Sequence, residues 1–208
     1  MTESPVSAKP WIVKWREWVS VLIIAPFAAA ALVSAPRIPE DSAADFLLEA
    51  AGWVCFWTGA LFRWWATLYI GGRKTHGLVV EGPYSICRNP LYLGTFLIAM
   101  SIPFFLHSVT FAVGLLIAMP IYLSITVPWE EGKLLAIFGD DYRRYRSRVP
   151  KLFPDFRLLS SPPSLPVHLS GMKAELRNSL TWMWMPLVAQ AVADLRTKAW
   201  WPELLPLL

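Results

Sequence analysis

Three charged side chains stand out because of where they lie along the chain. Arg88 lies between the Gly82-Pro83-Tyr84 turn and Pro90, at the mouth of an apolar segment. Glu130 and Glu131 are adjacent carboxylates that begin a later polar segment. The guanidinium of arginine is a planar fork that suits carboxylate or phosphate, and a carboxylate can pair with an ammonium group. Together these groups could hold a charged ligand.

Each of these residues also has a purely structural interpretation. Arg88 could bind the phosphate of a membrane lipid, and carboxylates at a helix start are favoured by the helix dipole. His76 lies in a loop, where a histidine most often forms solvated hydrogen bonds. The chemistry of single residues leaves the structural and the functional interpretations open.

The order of polar and apolar segments favours one shared site. Residues 76–90 and 129–148 are polar, and they bracket two apolar segments that are joined by a turn at His107 and Ser108. Apolar segments that leave and return bring the two polar segments to the same membrane face. We therefore expect a site built from both.

The composition predicts an integral membrane protein. Hydrophobic residues make up 55% and charged residues 16% of the chain, and the mean hydropathy is +0.43. Soluble domains carry about a quarter charged residues, and here the apolar residues form long runs. The net charge of +4 sits mostly in short loops, which favours contacts with lipid headgroups over nucleic acid.

The apolar runs predict an all-α, polytopic membrane protein with four transmembrane helices, and an amphipathic helix over residues 129–148. The spans are expected at residues 19–33, 46–70, 91–105 and 109–127. Residues 181–193 are expected to form an interfacial or re-entrant helix, or a short fifth span. Arg63 lies inside the second span, and we expect its side chain to extend to the interface. Basic residues concentrate in the 71–90 and 129–157 regions, which places both polar segments in the cytoplasm.

The two cysteines, Cys55 and Cys87, belong to no metal-binding or disulfide spacing. We therefore expect neither a metal site nor a disulfide framework.

A longer ordered pattern surrounds the charged residues. It comprises His76, Gly82, Tyr84, Arg88, Pro90, Tyr92, Gly94, Glu130, Glu131, Leu134, Phe138, Gly139, Tyr142, Tyr145, Val149 and Pro150. This order resembles the isoprenylcysteine carboxyl methyltransferase family, part of a wider group of membrane methyltransferases that includes phospholipid N-methyltransferases. The resemblance covers residues 75–155 and does not specify the substrate. Asn89 departs from it, because the family usually has a histidine there and asparagine cannot titrate near neutrality.

The resemblance implies a helical enzyme that binds S-adenosylmethionine in a cofactor pocket on the cytoplasmic face, without a Rossmann domain. Consistently, no G-x-G-x-x-G follows a strand. It implies catalytic roles for Arg88, Glu130 and Glu131. Glu131 would pair the cofactor's ammonium, and Arg88 would orient an anionic acceptor or the cofactor's carboxylate. It implies cofactor contacts from His76, Gly82, Tyr84, Arg88, Asn89, Pro90, Tyr92, Glu131 and Tyr145.

The expected organisation has three parts: an N-terminal helical pair (1–72), a methyltransferase core with a helical hairpin (73–158), and a C-terminal linker with a further helix (159–208). The expected partners are S-adenosylmethionine, a lipophilic or small methyl acceptor and membrane lipids. The compact chain resembles bacterial members of the family, which predicts a bacterial inner membrane.

Two other functions fit the same residues. A sterol-type reductase would bind NADPH in a related cofactor region, although the chain is short for that class. A non-catalytic lipid-binding scaffold would keep the fold and bind neither cofactor.

Overall fold

The structure is a computed structural model that describes residues 11–34, 38–39, 41–71, 77–165, 167 and 169–202. Its helices are α1 (Trp11–Leu32), α2 (Ala43–Ile70), α3 (Pro83–Ile86), α4 (Pro90–Phe105), α5 (Val109–Arg148), α6 (Leu169–Trp182) and α7 (Trp184–Arg196), with a 3₁₀ turn at Phe156–Leu158. These described ranges contain no β-strand. The all-α prediction is confirmed.

Three of the helices are long and apolar enough to cross a membrane, namely α1 over Trp15–Leu32, α2 and α5. Helix α4 is apolar but has only 16 residues, which corresponds to a length of about 24 Å. The protein is an integral membrane protein. Four spans were expected, and three helices of the described chain are long enough to be spans.

The helices pack mainly as two pairs, α2 along α4 and α1 along α5. Glycines allow the first pair to approach closely: a Cβ on Gly59 would lie 2.6 Å from the Gly94 carbonyl oxygen, and one on Gly94 would lie 2.7 Å from the Gly59 oxygen. Small residues at a helix crossing let the backbones come together without relying on a hydrophobic driving force. The α2–α4 contact therefore fixes the start of α4, where the predicted site begins.

Helix α5 corrects one prediction. The fourth span and the amphipathic helix, which were expected as separate helices, are continuous through Pro120 and Pro128. The helix kinks at Gly139 instead, where φ is 50° and ψ is −120°. A membrane helix can contain proline, because neighbouring groups satisfy the backbone carbonyl that the proline leaves free. The positive φ at position 139, in contrast, favours glycine.

The C-terminal helices run back along the bundle. Helix α6 starts beside the C-terminal cap of α2, because a Cβ on Gly171 would lie 2.9 Å from the Gly71 Cα. At the end of α7, the Arg196 guanidinium donates to the carbonyl oxygens of Ser34 and Leu106, each at 2.7 Å. We call the end with Gly71, α3 and the C-terminus of α5 the site end, and the end with Ser34 and Leu106 the far end.

Arg63 does not adopt the snorkelling arrangement that we expected. Its Nε lies 3.0 Å from Glu175 Oε1, and its side chain is only 16% exposed. The partner is a carboxylate on α6, and sequence reasoning did not identify that helix because of its polar composition. The Arg63 charge is therefore compensated inside the protein.

Candidate functional site

A tight turn opens the site. Gly82 has a φ of 58°, and a Cβ there would lie 2.3 Å from the Tyr69 ring. Only glycine fits this conformation in this space. Helix α3 follows directly and presents Tyr84 and the backbone leading to Arg88 at the site end.

The segment after α5 holds this turn in place. The Arg88 N–H donates to the Pro150 carbonyl at 2.9 Å, and the Gly82 N–H donates to the Ser160 carbonyl at 2.7 Å. The Ser160 N–H in turn donates to Ser85 Oγ at 3.0 Å. These bonds join the first polar segment, residues 76–90, to the chain that directly follows the second.

Asn89 has a structural contact of its own. Its side-chain amide donates to the Lys151 carbonyl oxygen at 2.9 Å. This bond uses the donor that asparagine supplies, and it ties the start of α4 to the segment that follows α5.

Arg88 and Glu131 form a largely buried ion pair. Arg88 Nη1 lies 2.6 Å from Glu131 Oε1, and both side chains are 11% exposed. The second carboxylate oxygen lies 3.5 Å from Arg146 Nε, on an exposed side chain. Arg88 Nε is buried and makes no hydrogen bond within the described chain. The pair thus retains a donor for a ligand.

Tyrosines surround this pair. The Tyr92 hydroxyl donates to Glu130 Oε1 at 2.8 Å, and the Tyr145 hydroxyl donates to the Tyr84 carbonyl oxygen at 2.8 Å. The Tyr84 hydroxyl is buried and has no hydrogen-bond partner in the part of the chain that the structure describes. Burial, with a smaller effect from Tyr145, raises the pKa of Tyr84 above its usual range. Tyr84 therefore offers a neutral donor rather than a phenolate.

These side chains line a cavity of about 140 Å³. Eight predicted site residues line it: Tyr84, Arg88, Asn89, Pro90, Tyr92, Glu130, Glu131 and Tyr145. Gly82 shapes the adjacent turn and is not among the lining residues. His76 lies outside the described residues.

The rest of the lining is mostly apolar, and the predicted site did not include it. These residues are Ile70, Gly77, Leu78, Val79, Leu91, Leu134, Phe138 and Tyr142. Leu134 and Phe138 are spaced i and i+4 on one helix face, and this signal could have identified them, whereas Tyr142 lies beyond the kink at Gly139.

A second, larger cavity of about 870 Å³ lies between α1, α2, α4 and α5. Its lining is predominantly apolar, with Arg63, Glu130 and Lys133 as its charged residues. The two cavities share the lining residues Ile70, Leu91, Tyr92, Glu130 and Leu134. The Tyr92–Glu130 hydrogen bond therefore stands in their common wall.

Cys87 is adjacent to Arg88 but is not suited to be a nucleophile. Its side chain is fully buried, and burial raises the pKa of its thiol to about 11. A thiol is nucleophilic as the thiolate, and this one stays protonated near neutrality. Among the described residues, no group of three or more His, Cys, Asp and Glu side chains could hold a metal ion.

The site can therefore bind a ligand that carries both charges. The Arg88–Glu131 pair offers a cation and an anion side by side, and Arg88 Nε and the Tyr84 hydroxyl supply free donors. The neighbouring apolar cavity can hold a second, lipophilic molecule next to the first.

The chain is similar to known membrane methyltransferases. A model of the phospholipid methyltransferase family matches residues 47–141, a segment that contains Arg88, Glu130 and Glu131. No solved structure matches the chain significantly.

The similarity extends to curated proteins of two kinds. The chain is 32% identical to the nickel-cobalt-cadmium resistance protein NccN of Alcaligenes xylosoxydans xylosoxydans, over 90% of this chain and 85% of that protein. It is 32% identical to the protein-S-isoprenylcysteine O-methyltransferase of Schizosaccharomyces pombe, over 39% of this chain and 35% of the enzyme. It is 40% identical to methanethiol S-methyltransferase 1 of Bradyrhizobium diazoefficiens, over 34% of this chain and 24% of the enzyme.

Proposed function

The chain belongs to the family of membrane methyltransferases that includes the phospholipid and isoprenylcysteine enzymes, and we propose that it transfers the methyl group of S-adenosylmethionine to a lipophilic acceptor. The observation that carries this proposal is the Arg88–Glu131 pair in the wall of the smaller cavity. The NADPH-dependent reductase is not favoured by the matched relatives.

The amino-acid end of S-adenosylmethionine is complementary to this pair. It carries a carboxylate, which the Arg88 fork can bind, and an ammonium, which Glu131 can bind. Exchange of the internal ion pair for two ligand contacts leaves no buried charge unpaired, which is the costly outcome. The Tyr84 hydroxyl and the aromatic ring of Tyr145 can contact the rest of the cofactor.

S-Adenosylmethionine, when bound, supplies an electrophilic methyl group to a nucleophile. The residues of this chain would bring the reactants together and exclude water, which can supply much of the rate in such a displacement. Tyr92 and Glu130 stand between the two cavities and would position the acceptor. A role for Glu130 as a proton acceptor would be needed only for an acceptor that loses a proton.

The acceptor would occupy the larger cavity. A volume of about 870 Å³ lies within the range of about 300–1,000 Å³ of small-molecule sites. The apolar lining suits a hydrocarbon chain, and the polar residues near Glu130 suit a reactive head group. A lipid-linked carboxylate, an amine and a thiol all satisfy this arrangement.

We propose that the site end faces the cytoplasm and that the membrane is a bacterial inner membrane. Labelling of introduced cysteines tests the orientation. The exposed arginines beyond the Gly139 kink, Arg143 and Arg144, lie at this end, and basic residues flank spans on the cytoplasmic side. Their charge would also favour anionic lipid headgroups.

The test is calorimetry on the full chain in lipid nanodiscs, titrated with S-adenosylmethionine, S-adenosylhomocysteine, 5′-methylthioadenosine and NADPH. We expect the first two to bind and methylthioadenosine, which lacks the amino-acid end, to bind more weakly. Glu131→Gln should reduce the affinity for S-adenosylhomocysteine roughly tenfold to a hundredfold, the value of a charge-assisted hydrogen bond of about 1.5–3 kcal/mol.

Glu81→Gln is the matched control, because Glu81 lies in the same polar segment but does not line either cavity. Its affinities should equal those of the wild type. Binding of NADPH alone would contradict the proposal, and binding of none of the ligands would favour the scaffold function. An untargeted search for lipids that gain a methyl group on overexpression would then identify the acceptor.

One relative, similar over 90% of this chain, is named for metal resistance, and we propose that methyl transfer by this chain contributes to metal tolerance in its host. A deletion strain complemented with wild type or Glu131→Gln would be grown at increasing nickel, cobalt and cadmium concentrations. We expect only the wild type to restore growth. If the wild type and Glu131→Gln restored growth equally, metal tolerance would not depend on methyl transfer.

A further inference from the structure

A second buried ion pair lies outside the cofactor site, at the wall of the larger cavity. Arg63 on α2 binds Glu175 on α6 through two contacts, Nε to Oε1 at 3.0 Å and Nη2 to Oε2 at 3.2 Å. The Glu175 side chain is only 7% exposed. Its position falls outside the segment that matches the family model, residues 47–141.

Arg63 is held on its other sides as well. Its Nη1 donates to Thr95 Oγ1 at 2.5 Å, and its guanidinium carbon lies 4.1 Å from the centre of the Trp182 ring. Both Arg63 and Thr95 line the larger cavity. The ion pair thus fixes a cation in the wall of the space that the proposed acceptor would occupy.

The charge of this wall depends on Glu175. Three charged residues line the cavity: Arg63, Glu130 and Lys133. With Glu175 pairing Arg63, the remaining two balance each other, whereas without Glu175 the wall would carry one uncompensated positive charge. Arg16 is not a lining residue, and its guanidinium lies over the ring of the lining residue Tyr122, 5.5 Å from the ring centre.

We propose that Glu175 is a specificity-determining residue of the acceptor cavity. By neutralising Arg63, it prevents this cation from drawing anionic lipids and fatty acids into the cavity. The cavity thereby remains open to an amphiphile without net negative charge, which narrows the acceptor to a neutral amine or a thiol. This inference rests on the proposed function, and it assigns to the C-terminal helix α6 a role in choosing the substrate.

The test compares the binding of a pyrene-labelled dodecanoic acid and the matching pyrene-labelled alcohol to the full chain. The protein is held in nanodiscs of zwitterionic lipid near pH 9, at which the acid is ionised. Glu175→Gln should raise the affinity ratio of acid to alcohol by about tenfold, since one unpaired charge acts at short range in a poorly screened site. Glu175→Asp, which keeps the charge, should retain the wild-type ratio.

A double variant separates charge from packing. Arg63→Gln in the Glu175→Gln protein removes the unpaired cation, and the ratio should return to the wild-type value. An unchanged ratio in folded Glu175→Gln protein, or a raised ratio that persists in the double variant, would overturn the proposal.

Two control variants test whether the pair is only a structural contact between α2 and α6. Ser179→Ala removes the hydrogen bond from Trp64 Nε1, 2.7 Å long, and leaves Arg63 paired. Glu49→Gln makes the same substitution at a carboxylate that contacts Gln190 of α7 at 3.4 Å and does not line the cavity. Both should keep the wild-type ratio, and a raised ratio in either would indicate a structural cause.

Titration of the same samples with S-adenosylhomocysteine tests the proposed function independently. Glu175→Gln should bind it with wild-type affinity. If the wild type did not bind S-adenosylhomocysteine, only the proposed methyltransferase function would be contradicted. If Glu175→Gln kept the wild-type ratio of acid to alcohol affinity, only the role of Glu175 would be contradicted.

Discussion

Arg88 and Glu131 keep their charges largely away from water, since each side chain is 11% exposed. Burying two charges costs several kcal/mol per ion, and their attraction often only offsets that cost. A pair that adds little stability but lines a cavity is therefore a candidate for ligand binding. The free Arg88 Nε supports this view, because it leaves part of the guanidinium fork available.

Substitution of Arg88 by lysine tests which ligand group the fork receives. Arg88→Lys keeps the positive charge but loses the planar, two-point geometry. We expect S-adenosylhomocysteine to bind about tenfold more weakly, as for the loss of one charge-assisted bond, and methylthioadenosine to bind as it does to wild type. Calorimetry with both ligands on Arg88→Lys and on the wild type measures these affinities. If turnover fell while S-adenosylhomocysteine affinity stayed intact, Arg88 would serve the acceptor instead.

The thiol of Cys87 gives a prediction about pH. Burial disfavours the charged thiolate and raises the pKa to about 11. Near pH 8 about one Cys87 in a thousand would be ionised, against about a quarter of ordinary cysteines. In a Cys55→Ala background, iodoacetamide should therefore label native protein slowly up to about pH 9 and faster only towards pH 11. Rapid labelling of folded protein near pH 8 would contradict the burial.

The sequence predicted which residues lie close together better than it predicted the contacts between them. Eight predicted residues line one cavity, because the segments that carry them flank apolar runs that leave and return. The direct pairing of Arg88 with Glu131 was not predicted, since the partners are 43 positions apart and no local rule links them. Sequence reasoning gave them separate ligand partners.

The helices show the same limit at a larger scale. The apolar and amphipathic parts of α5 were each visible in the sequence, but their continuity through Pro128 was not. Helix α6 was missed because its sequence is polar, although the side chain of Glu175 on it is only 7% exposed. Burial of the Glu175 carboxylate could not be predicted without its partner Arg63, which is 112 positions away in the sequence.

The close crossing of α2 and α4 gives a prediction about stability. Gly59→Ala would place a Cβ 2.6 Å from the Gly94 oxygen and 2.8 Å from the Ile98 nitrogen, both backbone atoms. The helices would have to separate, and overpacking of this kind costs roughly 1–3 kcal/mol. Thermal unfolding in detergent should show a lower midpoint for this variant.

The control for this variant is Gly132→Ala on α5, where a Cβ would meet no atom within 4 Å. Alanine is favoured over glycine inside a helix by roughly 0.5–1 kcal/mol, so this variant should unfold at the wild-type midpoint or slightly above. A fall in the Gly132→Ala midpoint as large as that of Gly59→Ala would show that the crossing is not the cause.

The whole molecule is fixed at both ends by contacts far apart in sequence. At the site end the segment after α5 binds the α3 turn through Arg88 and Pro150. At the far end the buried guanidinium of Arg196 binds the carbonyls of Ser34 and Leu106. Since α6 begins beside Gly71 and α7 ends beside Leu106, the two helices together extend along the bundle from one end to the other.

This arrangement predicts the sidedness of four positions in the membrane. Single cysteines at Gly77 and Ser147, introduced with Cys55→Ala, lie at the site end and should react with an impermeant maleimide only from the cytoplasm, as the basic residues there indicate. Cysteines at His107 and Thr197 should react only from the opposite side, because the Arg196–Leu106 bond of 2.7 Å holds their neighbours together. Labelling in whole cells and in inverted vesicles measures both sides.

Reaction of position 107 from the same side as position 147 would disprove the helical hairpin and with it a site built from both polar segments. Reaction of position 197 from the side opposite to position 107 would contradict the path of α6 and α7 and leave the hairpin intact.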